Sequence, residues 1–304
     1  MIDVCLLGCG GSMPVPNRTL TSLLVSINGR KILIDCGEGT QVSMKILGSG
    51  FKKIDTICLT HYHADHVMGL PGLLLTIGNS GRTDPINIIG PLGLGYVMEG
   101  LLVVAQNLPY KLNLIEVEEG NSEITFNDMV IRTIACDHTI PCIGYSIEAI
   151  RKRKFDIMKA NNNNVPMELW SKLQLGEEVN KDGKVFLPDM VLGKTRRGIK
   201  ISYVTDTRPI DELIYFIKDS DLFVCEGMYG EDEEIEKAKI NRHMIFREAA
   251  ELAKVGSVKE LWLTHFSPSL TEPATHIENV QEIFENVIIG EDRLCKSFKY
   301  ISDN

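Results

Sequence analysis

The sequence predicts an α/β sandwich in which helices cover the outer faces of sheets, interrupted by one polar insertion. Three observations carry this. The first third consists of short apolar runs separated by turn residues, and the last third alternates strand-like with helix-like runs. Between them, residues 148–194 lose that pattern.

Residues 4–7 and 21–27 read as strands, and an Asn28-Gly29 turn leads into a third over 31–34. Asn-Gly between apolar strands is a strong hairpin signal, because both central residues of the tight turn need positive φ. A strand over 55–59 runs straight into His61, and 66–77 is apolar enough for a helix packed beneath it despite Pro71. Strands recur at 86–89, 111–117, 129–135 and 143–147. The stretch 148–194 holds charge runs, the tract 161–164 of asparagines, few periodic apolar positions and several Gly and Pro. Such polarity predicts an irregular arm projecting from the body. A strand then follows at 199–204, a helix near 209–217, a strand at 222–225, a helix near 244–254, a strand at 261–263 and a helix near 272–286.

With 304 residues, 44% of them hydrophobic, the chain can bury one large core or two packed halves without disulfides, so 1–304 is expected to form one domain carrying the 148–194 arm. The longest apolar runs, such as 100–105, fall far short of the roughly 20 residues a membrane span needs. The first residues lack a basic segment followed by an apolar one, and a cytoplasmic location is expected. Eight cysteines (5, 9, 36, 58, 136, 142, 225 and 295) are scattered singly, which predicts free thiols. A formal charge of −9 excludes general adhesion to nucleic acid, so any RNA contact must be local. Two basic clusters are available for it, Arg151-Lys152-Arg153-Lys154 and Lys194-Thr195-Arg196-Arg197, although either also reads as a solvated face.

The strongest signal is His61-Tyr62-His63-Ala64-Asp65-His66, four potential ligands at the tip of a strand. In an extended segment residues two apart project to the same side, so His61 and His63 can grip one ion while Asp65 and His66 face another. Crowding three imidazoles and a carboxylate without such a role would carry a desolvation cost and no return. His138, Asp206 and His265 repeat the placement, each just past the C-terminal end of an apolar strand, where active-site groups collect. Taken singly each is more often a cap or a surface residue, but together they complete a set. Five imidazoles and two carboxylates without thiolate suit zinc or manganese. Leu59-Thr60-His61 and Leu263-Thr264-His265 also echo one another, as two halves facing a shared cleft would.

H-x-H-x-D-H followed by a later His, Asp and His resembles the metallo-β-lactamase superfamily. More narrowly the chain resembles the ribonuclease Z family, endonucleases that trim the 3′ end of precursor tRNA. The similarity runs through 7–22 (LGCGGSMPVPNRTLTS), 34–41, 60–75, Asp137-His138, 197–209, His243 with Arg247-Glu248-Ala249, and 263–268. It implies a four-layer αββα sandwich with an inserted projecting arm. It also implies that His61, His63 and His138 hold one zinc, that Asp65, His66 and His265 hold the other, and that Asp206 bridges them. Asp65 would help orient the water that attacks phosphorus, and His243 would protonate the leaving 3′ oxygen, with Glu226 orienting it. The arm, with Arg151, Lys152, Arg153 and Lys154, would grip precursor tRNA, and a homodimer would let a partner's arm help. Two departures stand out: residues 165–173 (VPMELWSKL) lack the family's Gly-Pro core, and Ile245 replaces the threonine of an H-x-T pattern.

Two rival readings remain at this level. One is a hydrolase of the same fold acting on a small phosphodiester, ester or thioester, which the altered arm favours. The other is a non-enzymatic RNA-binding scaffold, which the complete set of ligand positions disfavours.

Overall fold

Alternation decides the first sheet. Along β1 (Ile2–Gly8), Ile2, Val4 and Leu6 enter one apolar core and Leu7 a second; β2 (Ser22–Ile27) and β3 (Arg30–Ile34) divide the same way, with Leu24 and Leu33 on the second side. A strand whose side chains alternate between faces, both of them covered, buries nearly everything it carries. Asn28 and Gly29 take φ of 50° and 82°, and Ile27 pairs with Arg30 across the expected turn. This is a computed structural model describing residues 1–300 except 119 and 127.

After β3 come α1 (Thr40–Leu47), β4 (Ile54–Cys58), α2 (Ala64–Val67), α3 (Leu70–Asn79), β5 (Ile86–Pro91), α4 (Leu94–Leu102) and β6 (Leu112–Val117). The single helix expected over 66–77 is therefore two. The chain breaks at Gly69 because it passes against another backbone there: a Cβ at Gly69 would stand 2.2 Å from the Gly37 carbonyl oxygen. Pro71 falls in the first turn of α3, where its missing N–H costs no helical hydrogen bond.

The second sheet begins with β7 (Ser122–Phe126), β8 (Met129–Cys136) and β9 (Cys142–Ala149). The inserted segment contains α5 (Ile157–Asn162), α6 (Trp170–Gln174), β10 (Val179–Lys181) and β11 (Lys184–Phe186). The sheet resumes with β12 (Ile199–Val204), α7 (Asp211–Ile217), β13 (Leu222–Glu226), α8 (Ile235–Asn241), α9 (Phe246–Val255), β14 (Leu261–Thr264), α10 (Ile277–Gln281) and β15 (Val287–Ile289). β16 (Leu294–Phe298) returns to the first sheet beside β1. The helix expected over 272–286 is shorter because the chain must turn back to start β15 at Val287.

Among the described residues the strand orders are β16-β1-β2-β3-β4-β5-β6 and β15-β14-β13-β12-β9-β8-β7. One core takes residues from both sheets, such as Val4, Val25, Ile131 and Tyr203, together with Leu213 and Ala249 of α7 and α9. The other lies between the first sheet and α1, α3 and α4. Helices thus flank two facing sheets, the αββα order. Strands β3 to β6 run parallel, as do β12 to β15, so each sheet gathers several C-terminal strand ends at one edge.

The chain divides into two units, Met1–Ala149 with Ile199–Asn304, and Ile150–Gly198. The second, expected to be irregular, is instead organised around its own small core of Ala160, Val165, Leu169, Leu173, Phe186, Val191 and Leu192. Trp170 donates to the Val165 carbonyl and rests on Phe155. The expectation of eight free thiols is corrected: Cys5 and Cys295, register partners across β1 and β16, form a disulfide, while the other six cysteines are free. A separation of 290 residues gave no hint of this pairing. No helix among the described residues is long and apolar enough to cross a membrane.

Candidate metal centre

Each functional side chain is delivered by a strand end or the turn after it. His61 follows β4, His63 leads into α2, and Asp65 and His66 lie within it. His138 follows β8, Asp206 follows β12, and His265 follows β14. Asp206 and His265 hold φ of 54° and 59°, and Asp35, just past β3, holds 58°. Three non-glycine residues in the left-handed region at strand ends are a concentration of local strain of the kind active sites keep.

All seven residues converge and are buried apart from His63, which is half-buried. His61 Nε2 and His63 Nδ1 are 2.9 Å apart, and His138 Nε2 is 3.3 Å from His63 Nδ1. In the second set His66 Nε2 and His265 Nε2 are 3.2 Å apart, and Asp65 Oδ2 is 3.4 Å from His265 and 3.5 Å from His66. Asp206 divides between them. Its Oδ1 is 3.8 Å from both His61 and His138, while Oδ2 is 3.3 Å from His66 and 3.4 Å from His265. Ligand atoms about 2.0–2.2 Å from a tetrahedral zinc lie roughly 3.3–3.5 Å from one another. The two sets therefore have the spacing of two neighbouring coordination shells sharing one carboxylate.

Surrounding hydrogen bonds turn most of the imidazoles the same way. His66 Nδ1 is 2.9 Å from Asp35 Oδ2, His61 Nδ1 is 3.1 Å from Thr60 Oγ1, and His138 Nδ1 is 3.3 Å from the Arg242 carbonyl. Each leaves Nε2 for the centre, the usual way of fixing a ligating tautomer. His63 presents Nδ1 instead. Thr60 N–H and Oγ–H both donate to Asp35, so one buried carboxylate orders the loop as well as the ring. The Ser12 amide donates to Asp65 Oδ2 at 2.7 Å.

The charges are those of a site built for cations. Burial, then neighbouring imidazoles, hold His61 well below the ordinary histidine value, and burial likewise lowers His63 and His138, which keeps them neutral with lone pairs free. Burial opposes a charged His66 too, but Asp206 and Asp35 on either side outweigh it and raise it. Burial works against the ionised forms of Asp65 and Asp206, yet hydrogen bonds from His265 and His66 to the first, and the nearby His265 and His66 around the second, keep both well below the usual carboxylate range.

His243 sits on the segment between α8 and α9, with its ring 5.3 Å from that of His138 and 5.6 Å from that of His265. Its Nδ1 is 3.0 Å from Glu226 Oε2, and Glu226 is itself fixed by the amides of Thr207 and Met244. Burial disfavours a charged His243, but Glu226 prevails and raises it to about 9. The residues missed in the sequence are those that act through others: Asp35, Ser12 and Arg208. Arg208 donates to the His243 carbonyl and pairs with Glu248, whose Oε2 accepts the Ile245 amide at 3.1 Å. Glu248 thus caps α9 where Ile245 offers no side-chain acceptor. A carboxylate three residues into a helix was the available signal.

Of the basic cluster, Arg153 is engaged within its own unit, donating to Gly193 and Leu192 carbonyls and to Asp189, while Lys152 and Lys154 are exposed. Tyr62 donates to the Pro91 carbonyl, and Phe51 packs against the second core.

Known proteins resemble the whole chain. A family model described as anti-Pycsar protein Apyc1 matches residues 2–91. Ribonuclease Z of Clostridium acetobutylicum is 59% identical over 306 residues, covering 99% of each chain, and that of Clostridium kluyveri is 58% identical over 303 residues with 99% of each covered. Among solved structures, the short form of human tRNase Z superposes with a TM-score of 0.70 at 24% identity, covering 97% of this chain and 98% of its own. The metallo-β-lactamase fold protein YhfI of Bacillus subtilis gives 0.69 at 19% identity with the same coverage. The likeness of fold to these two, and near full-length identity above half to the clostridial proteins, place this chain in the ribonuclease Z family of the metallo-β-lactamase superfamily.

Proposed function

We propose that this protein is a zinc-dependent endonuclease that removes the 3′ trailer of precursor tRNA and leaves a 3′-hydroxyl. The observation that carries the reading is Asp206, whose two oxygens face two separate donor sets beside the Glu226–His243 pair. His61, His63 and His138 would hold one ion and Asp65, His66 and His265 the other, with manganese an alternative occupant. Two such ions would lower the pKa of a bound water toward neutrality and stabilise the attacking and leaving oxygens of a phosphodiester. Asp65, which accepts the Ser12 amide, would orient that water. His243 turns Nδ1 to Glu226 and keeps Nε2 for the departing 3′ oxygen, to which it gives a proton.

The unit 150–198 serves in this reading as the RNA-holding arm, with Lys152 and Lys154 among its exposed cations. A homodimer is part of the same proposal. Val42 and Ile46 of α1 and Leu75 of α3 are exposed on neighbouring helices, an apolar face suited to a second copy. The cytoplasm, where precursor tRNA is made, is the expected location.

A small phosphodiester as true substrate is the second reading, favoured by the missing Gly-Pro core in the arm. Wild type and Asp65→Ala assayed on a 3′-extended precursor tRNA and on bis-p-nitrophenyl phosphate decide between them. Cleavage of the precursor at the discriminator position, abolished in the variant, supports the endonuclease; turnover of the small diester alone would replace it with the second reading.

A further inference from the structure

The chain crosses from the second sheet to the first between β15 and β16, and Asp292 lies in that crossing. Its side chain is 4% exposed. Oδ1 accepts from the Cys9 amide at 3.2 Å and faces its thiol at 3.4 Å, while Oδ2 accepts from the Thr19 amide and hydroxyl, both at 2.7 Å. One carboxylate thus ties together the two ends of loop 9–19, which lies more than 270 residues away in sequence.

The tip of that loop reaches the centre. The Gly11 amide donates to the Phe266 carbonyl at 3.0 Å, next to His265, and a Cβ on Gly11 would stand 2.7 Å from the His265 ring. Ser12 donates to Asp65. His265 Nδ1 is buried with no hydrogen-bond partner among the described residues, so on that side the ring is held by this packing alone. Asp292 is anchored in turn: the Gly290 amide donates to the Leu263 carbonyl at 2.8 Å, and the Arg293 amide to that of Leu6 at 2.6 Å.

We propose that Asp292 is a positioning residue for one half of the metal pair, because the loop it closes holds Asp65 and His265, two of the three donors in one set, and none of the donors in the other. The hydrogen bonds of His61, His63 and His138 come from Thr60, from each other and from Arg242, all independent of loop 9–19. Loosening the loop therefore loosens one ion and spares its neighbour.

The inference rests on the two-metal reading above, and one experiment separates them. Zinc-loaded wild type, Asp292→Asn and Asp292→Ala are titrated with a chromophoric chelator, and zinc release per chain is followed by absorbance. The Asn variant keeps an acceptor for one end of the loop and presents an amide donor to the other, so it loosens the loop without leaving a cavity; it decides the matter if the Ala variant does not fold. Loss of supporting contacts to metal ligands costs about 10- to 100-fold in metal affinity. One zinc per chain is expected to leave at correspondingly lower chelator while the second leaves as in wild type, and kcat on bis-p-nitrophenyl phosphate is expected to fall with KM little changed. Equal weakening of both ions, or of neither, overturns the role of Asp292. A wild-type protein that takes up fewer than two ions overturns the parent reading instead.

Discussion

A proton from His243 matters only where the leaving group needs one. His243→Ala is therefore expected to slow precursor cleavage by about 10²–10⁴-fold. Bis-p-nitrophenyl phosphate, whose nitrophenolate departs unprotonated, should lose far less, and equal losses on both substrates would remove His243 from the acid role. Its partner can be probed without metal. Glu226 raises His243 to about 9 against the cost of burial, so the proton stays until pH passes that value. Glu226→Gln removes the charge and moves the titration downward, toward or below the ordinary histidine range, as NMR of the metal-free protein would show. At this scale the sequence was legible in several of the residues that the fold gathers into the two donor sets: His61, His138, Asp206 and His265 each stand after an apolar run. Asp35 and Arg208 were not, because their work is defined by Thr60, His66 and the His243 carbonyl, which only folding brings beside them.

Elements carry these residues, and backbone contact between elements sets their places. Gly69 separates α2, which bears Asp65 and His66, from α3, and it does so against the Gly37 carbonyl. Gly69→Ala has nowhere to put its methyl and is expected to cost about 1–3 kcal/mol in urea denaturation, as overpacking does. It should also weaken zinc binding, since α2 must shift; an unchanged midpoint would show that the two segments adjust freely. Strands were legible from alternation and from Asn28-Gly29, and the helices α7, α9 and α10 approximately so. The edge strands β7, β15 and β16 were not, since short runs with one exposed side carry little pattern, and neither was α1, whose start Gly39 takes φ of 93° without a capping side chain. In the insertion, apolar residues are too sparse for periodicity yet sufficient for a small core.

At the scale of the molecule, the apolar cores of the two sheets contain, among the described residues, none from the insertion, and Ala149 pairs with Ile199 where it leaves and returns. Replacing 150–198 by a short turn should therefore leave a folded, metal-binding body that hydrolyses bis-p-nitrophenyl phosphate while precursor tRNA cleavage is lost; equal loss of both would contradict an RNA-holding role. If the two donor sets hold ions in the native state as proposed, removing them is expected to lower the melting temperature and returning zinc to restore it, by an amount equivalent to about 4 kcal/mol when free metal is a thousandfold above Kd. A melting curve indifferent to chelation would contradict a seven-ligand centre. The placement of β16 beside β1 has a further bearing on biogenesis. Strand β1 is made well before its partner β16, with Cys5 and Cys295 separated by 290 residues. Until that stretch has been translated, β1 presents an open edge and loop 9–19 has no Asp292 to close it. Nascent chains should thus remain open to chaperones and without nuclease activity until Asp292 and β16 have emerged, acquiring both protection and competence only then.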